Sequence, residues 1–171
     1  TSSGARDNVA IGFLAQNTLK TSKGNTAVGY AAMTSIGTGA ENNVAIGYNA
    51  GRAVNNKNNT FIGTNAGYSN TSNNNTFIGY NAGNKSTGSY NTFIGYNAAG
   101  TNSNSGNKNV AIGDNALGNL RGGEYNVAIG QNALKNLENG SYNVAIGYNA
   151  CSEVKGSYKT CIGANSGPHA G

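Results

Sequence analysis

Tyrosine is the side chain whose type and spacing best suit binding chemistry in this chain. Four tyrosines occupy the same position of a recurring phrase, five residues before its glycine: Tyr90, Tyr125, Tyr142 and Tyr158. Cations are interleaved with them, among them Arg52, Lys57 and Lys85. Aromatic rings stack on sugar faces and on cations, so these residues predict a surface that binds glycans or another polyanion. The alternative is that the tyrosines only cover corners of the fold.

The carboxylates do not form a catalytic pattern. Hydrolases need a pair of carboxylates or a nucleophile with its base, whereas the six acidic residues here occupy unrelated positions of the repeat. They are Asp7, Glu41, Asp114, Glu124, Glu138 and Glu153. The single histidine, His169, has no partner at metal-ligand spacing. We therefore expect no enzymatic activity, no metal site and no cofactor.

The two cysteines leave two interpretations open. Cys151 lies four residues after one repeated glycine, and Cys161 lies two residues before the next. A disulfide requires the two positions to meet across adjacent turns, with Cα atoms within about 7 Å of each other. Buried free thiols are the other interpretation.

Charge and hydropathy exclude two classes of partner. Eleven Lys and Arg against six Asp and Glu give a net charge of +5, spread along the chain without a basic run. This distribution argues against nucleic acid and leaves a polyanionic surface as a possible partner. No apolar run approaches the ~20 residues of a membrane helix, so we expect no membrane insertion.

These side chains are carried by a phrase such as Asn-Val-Ala-Ile-Gly-Tyr-Asn-Ala, which returns ten times. Its glycine falls at Gly12, Gly29, Gly47, Gly63, Gly79, Gly95, Gly113, Gly130, Gly147 and Gly163, at intervals of 16 to 18 residues. A fixed period of this kind predicts a repeat architecture. We interpret residues 1–171 as a single array, with ten repeats over 8–166, that forms a segment of a longer fibrous protein.

Alternation along the phrase predicts a β-strand just before each glycine. The residue before the glycine is always Ile or Val and the third before it is always Val or Thr, so both point to one face. We expect this pair to fill the interior. The residue between them is usually Ala or Phe, and we expect that face to form an oligomer interface. The interface residues would be Phe61, Phe77, Phe93, Ala45, Ala111, Ala128 and Ala145.

The glycine marks a bend, after which Tyr-Asn-Ala is expected to form a second short strand before a polar return loop. One turn of chain per repeat then stacks each phrase on the previous one at ~4.8 Å, about 43 Å from first to last. Stacking predicts two asparagine ladders, one at the fourth residue before the glycine and one at the second after it. The sequence thus predicts an all-β, parallel β-roll, or β-solenoid, of ten turns.

A single roll has few inward apolar side chains to offset the ~1.5 kcal/mol per residue that ordering costs. Packing of several chains side by side would bury a second apolar face. We therefore expect self-association, and a homotrimer for parallel chains around one axis.

The phrase resembles the head repeat of YadA-like trimeric autotransporter adhesins. It is also similar to the Asn-Thr-x-Ile-Gly-Tyr-Asn-Ala repeats, with Gly-Ser-Tyr-Asn spacers, of phage and viral tail-fibre proteins, which match more closely. The resemblance covers residues 8–166. It implies a left-handed roll, a side-by-side homotrimer, and an extracellular location on a virion fibre or a bacterial cell surface.

Three functional hypotheses follow. The first is a structural and attachment segment of a trimeric surface fibre that binds host-surface glycans or other envelope components. The second is a passive structural spacer without binding activity. Ice binding is weaker, because Thr60, Thr76 and Thr92 share a column with valine and are expected to point inward.

Overall fold

The chain folds into a parallel β-solenoid with one short strand in each turn. A computed structural model describes residues 4–18 and 21–168, and His169 lies outside this part of the chain. Ten strands form one parallel sheet in chain order, and the described residues contain no helix. The prediction of an all-β, parallel solenoid is confirmed.

Each strand has three residues and ends directly before a repeated glycine. The strands are β1 Val9–Ile11, β2 Thr26–Val28, β3 Val44–Ile46, β4 Thr60–Ile62, β5 Thr76–Ile78, β6 Thr92–Ile94, β7 Val110–Ile112, β8 Val127–Ile129, β9 Val144–Ile146 and β10 Thr160–Ile162. Phrase stacks on phrase in register: Thr60 pairs with Thr76, and Phe61 with Phe77. The register turns each position of the phrase into a column along the solenoid.

The segment after the glycine is a turn, so the expected second strand at Tyr-Asn-Ala is wrong. Its asparagine has left-handed backbone geometry, as at Asn81 with φ 55° and Asn149 with φ 52°. The residue five before the glycine is also left-handed, as at Tyr142 with φ 60°. Asn tolerates this conformation better than most residues. The asparagine two residues after the glycine therefore suits the corner that every turn requires.

The two faces of the strands are exchanged relative to the sequence prediction. The Ala/Phe column, second before the glycine, points into the solenoid, where Phe77 is 0% exposed. The interface assigned to it is therefore wrong, because side chains enclosed by their own chain have no surface to offer another. All seven assigned residues are fully buried: Phe61, Phe77, Phe93, Ala45, Ala111, Ala128 and Ala145. The Val/Thr and Ile columns point outward.

The interior is narrow, and large and small side chains alternate between two facing columns. A Cβ placed on Gly83 would lie 2.6 Å from Cδ2 of Phe77. Five of the six turns with alanine in the Ala/Phe column place a larger residue at the position of Gly83, as at Leu117 and Leu134, both buried. The sixth has Gly51, where a Cβ would lie 2.6 Å from Cδ2 of Phe61 in the next turn. Large and small side chains thus compensate for one another within a turn or between adjacent turns, as close packing requires.

A buried column of asparagines, the Asn column, joins the strands to the return loops. It lies four residues before each glycine, and Asn109 is a representative member. The backbone N–H of Asn109 donates to Oδ1 of Asn91 at 2.9 Å, and Oδ1 of Asn109 accepts the N–H of Asn126 at 2.9 Å. Nδ2 of Asn109 donates to the carbonyl of Gly123 at 2.8 Å. The predicted ladder is confirmed, and it satisfies both side-chain amides and loop backbone.

Cys151 and Cys161 form a disulfide, with Cα atoms 5.7 Å apart. Cys161 lies in the Ala/Phe column, and Cys151 lies in the facing column, at the position of Gly83 and Leu117 in other turns. Both are buried. The disulfide therefore replaces an ordinary core contact near the last strand and links two successive turns.

Candidate binding surfaces

The outer face of the sheet carries two columns along the whole solenoid, an apolar Ile column and a Val/Thr column in which threonine occupies five of the ten positions. The Val/Thr and Ile columns stand on alternate residues of each strand, so they lie side by side on this outer strand face. Most members are half-buried, but Ile46 is 39% and Ile146 38% exposed. A contiguous surface with apolar, partly exposed side chains is typical of an interaction site. The sequence pattern identified these columns but assigned them to the interior.

Three of the four predicted binding tyrosines form a stacked ladder, the C-terminal tyrosine ladder. The rings of Tyr125 and Tyr142 lie 5.0 Å apart with an interplanar angle of 5°, and those of Tyr142 and Tyr158 lie 5.3 Å apart at 1°. All three are exposed. Tyr90 lies in the same column but is separated from the ladder by the turn of Lys108.

The geometry of this ladder limits how it could hold a sugar. Parallel rings at about 5 Å cover one another's faces, so Tyr142 presents only its edge and its hydroxyl to solvent. Tyr158, at the end of the ladder, is 78% exposed. The rings within the ladder therefore offer a row of phenolic hydroxyls rather than open faces for a sugar.

Lys108 is the cation that lies against the ladder. Its Nζ is 4.7 Å from the ring centroid of Tyr125 and 2.6 Å from the hydroxyl of that residue. The hydrogen bond to Tyr125 raises the pKa of Lys108 above its ordinary value. The hydrogen bond to the phenol oxygen thus holds the Lys108 ammonium at the hydroxyl end of the Tyr125 ring.

The three cations predicted to assist the tyrosines lie elsewhere. The guanidinium of Arg52 packs over the ring of Tyr68 at 5.4 Å. Lys57 pairs with Glu41, and Lys85 is an exposed residue of a return loop. Lys57 belongs to the fourth turn and Tyr125 to the eighth, so about 19 Å of solenoid separates them. These cations and the C-terminal tyrosine ladder do not form one site.

Glu41 lies between two lysines of the neighbouring turns. Its carboxylate oxygens are 3.0 Å from Nζ of Lys57 and 3.3 Å from Nζ of Lys23. The hydrogen bond from Lys57, followed by that from Lys23, lowers the pKa of Glu41 below its ordinary value. The three side chains form a solvated charge ladder, and surface pairs of this kind contribute little to stability.

The described residues contain no group of three or more His, Cys, Asp or Glu that could hold a metal ion. They also enclose no pocket. No helix within residues 4–18 and 21–168 is long and apolar enough to span a membrane.

No protein-family model, curated protein or solved structure matches the chain.

Proposed function

We propose that this chain is a structural and attachment segment of a surface fibre in which three copies of a left-handed roll pack side by side. The supporting observation is the outer strand face, whose Val/Thr and Ile columns stay partly exposed over ten strands. Burial of this apolar area against other chains would supply the stabilisation that a thin roll lacks. The resemblance to YadA-like heads and tail-fibre repeats favours three chains and an extracellular location.

A second and a third copy are the partners that fit this face best. The side chains repeat at ~4.8 Å along the solenoid axis. A partner in contact at every turn needs the same repeat distance, and a parallel copy of the chain has it. Rotation about one axis would bring the equivalent Ile columns of all copies together.

Substitution of Ile78 by lysine is expected to dissociate the assembly. Ile78 lies on β5 in the middle of the outer strand face, and a trimer would bring three lysines close together in an apolar interface. Sedimentation should give about 52 kDa for the unmodified protein, three times 17.3 kDa, and a smaller particle for Ile78→Lys.

Thr71→Lys is the matched control, because it adds the same charge to an exposed loop and should leave the mass unchanged. Circular dichroism establishes whether the variants keep their β-structure. A monomeric unmodified protein at high concentration would contradict the trimer regardless of any variant.

For attachment, we propose weak and repeated contacts between host-surface glycans and the row formed by Lys108 and the C-terminal tyrosine ladder. Three copies in one fibre would multiply a weak contact. Binding to a glycan array or to host cells tests this proposal, with Tyr158→Ala expected to weaken it because Tyr158 is the most exposed ring of the ladder. Complete lack of binding at high concentration would favour the passive spacer.

Ice binding is a second candidate, because the observation that disfavoured it is reversed. Thr60, Thr76 and Thr92 lie on the outer strand face, half-buried and in register on adjacent strands. A flat face with hydroxyls at a regular spacing suits an ordered water lattice only if it is free in solution. Thermal hysteresis by a monomeric protein would support this candidate, whereas a trimer without hysteresis would eliminate it.

A further inference from the structure

A second aromatic column lies directly after the repeated glycine, and its stretch from Phe13 to Tyr96 is interrupted at one turn. The rings of Tyr30 and Tyr48 stack at 5.1 Å with an interplanar angle of 8°. The rings of Tyr80 and Tyr96 stack at 5.3 Å with an angle of 9°. The turn between these two pairs carries Thr64 instead of tyrosine. We call the space above Thr64 the Thr64 gap.

The backbone holds Thr64 in register between its two aromatic neighbours. The N–H of Asn65 donates to the carbonyl of Tyr48 at 2.9 Å, and the N–H of Asn81 donates to the carbonyl of Thr64 at 3.0 Å. Tyr48 and Tyr80 are therefore two turns apart, about 10 Å along the axis. A threonine side chain is too short to extend between the two phenol rings.

Each of these tyrosines has one covered and one open ring face. Tyr30 covers one face of Tyr48, and Tyr96 covers one face of Tyr80. The remaining faces point toward the Thr64 gap, and both tyrosines are exposed, at 52% and 46%. Two aromatic faces across a gap of one ladder position form a sandwich that is open to solvent.

The column that contains Tyr90 and the C-terminal tyrosine ladder is also interrupted, but there a lysine side chain lies at the interruption. Lys108 occupies the turn between Tyr90 and Tyr125, and its ammonium lies 4.7 Å from the ring centroid of Tyr125. The long lysine side chain thus covers the ring face that the interruption would expose. Thr64 has a shorter side chain than lysine, and both neighbouring tyrosines remain exposed at this interruption.

We infer that the Thr64 gap binds one planar aromatic ring between Tyr48 and Tyr80. The spacing of the turns suits such a ring, because a ring in this position would lie one turn from Tyr48 and one turn from Tyr80, as the rings of the existing stacked pairs do. Offset stacking on two aromatic faces at once stabilises such a ring. A puckered, thicker ring does not match a ladder built for flat ones. This inference does not depend on the proposed fibre or on its glycan binding.

Titration with indole, followed by proton NMR of the whole chain, tests the inference. Indole is neutral and planar, so a positive result does not reflect charge attraction. We expect saturable binding in the millimolar range, with an upfield ring-current shift of the Thr64 methyl group and shifts of the Tyr48 and Tyr80 ring protons. Cyclohexanol and methyl glucoside serve as non-planar probes and should bind at least tenfold more weakly.

Two substitutions at position 64 make the test specific. Thr64→Tyr supplies the missing ring and should weaken indole binding at least tenfold, whereas Thr64→Ser leaves the gap open and should change it less than twofold. Tyr80→Leu removes one wall and provides a second loss variant if Thr64→Tyr folds poorly. Absence of saturable binding to the unmodified protein, or equal binding by Thr64→Tyr, would overturn the inference.

Discussion

Replacement of Gly113 by alanine is expected to lower the free energy of unfolding by about 4 kcal/mol or more, a large effect for one methyl group. Two separate causes contribute to this loss of stability. The backbone of Gly113 has φ +135°, in a region that is strained by about 1–3 kcal/mol for other residues. The new Cβ would also lie 2.6 Å from both the carbonyl carbon and oxygen of Gly130, so the stacked turns would have to separate.

Gly163→Ala separates these two causes. Gly163 belongs to the same column and has φ +111°, but a Cβ there would have no atom within 4 Å. This variant should therefore show the conformational cost alone. Chemical denaturation followed by circular dichroism, together with hydrogen exchange of the flanking turns, measures both variants. Equal destabilisation of the two would show that the glycine column is set by backbone conformation and not by close stacking.

The sequence was sufficient to predict the period, the strands and the Asn column. These features follow from repetition itself, because a residue that returns once per turn must stack on its copies whatever the handedness of the roll. The conformation of the segment after the glycine was not predictable in this way. Tyr-Asn-Ala is compatible with a strand, and only the left-handed geometry of its asparagine, as at Asn81, makes it a corner.

The faces of the strands were assigned in the wrong direction because alternation is symmetric. It separates Phe77 from Thr76 and Ile78 but does not say which side is enclosed. Two bulky columns on one face suggested a core, yet the interior is filled by the Ala/Phe column and by residues after the glycine, such as Leu117 and Leu120, both 0% exposed. A signal was present in the sequence: where phenylalanine occupies the Ala/Phe column, the facing position is small, as at Gly83. Such compensation requires the two positions to share one enclosed space.

The candidate binding residues were predicted only in part. The tyrosine columns are visible as repeats, but the ring orientation that covers most of their faces depends on the stacking geometry. The association of Lys108 with Tyr125 joins residues 17 positions apart, and it becomes visible only when the register is known. Arg52, Lys57 and Lys85 were grouped by composition, whereas the solenoid distributes them over separate turns and return loops.

Replacement of Asn109 by alanine is the other change with a large expected effect. Asn109 is 0% exposed and makes hydrogen bonds to two neighbouring turns and to a return loop. Its loss would leave the N–H of Asn126 and the carbonyl of Gly123 buried without partners. Each such group costs about 1–3 kcal/mol, so the free energy of unfolding should fall by about 2–6 kcal/mol. Lys159→Ala, at an exposed position of the same column, should change it by less than about 0.5 kcal/mol.

Asn109→Asp tests whether the donor at this position is the important group. Aspartate keeps the oxygen that accepts the N–H of Asn126, but its ionised form cannot donate to the carbonyl of Gly123. Burial would raise the folded-state pKa of this carboxyl above its unfolded value of about 3.9. The protonated form, which can donate, would then be favoured at low pH, and stability would fall as the pH rises above about 4. A variant whose stability relative to the unmodified protein is the same at pH 3 and pH 7 would contradict a donor role for Asn109.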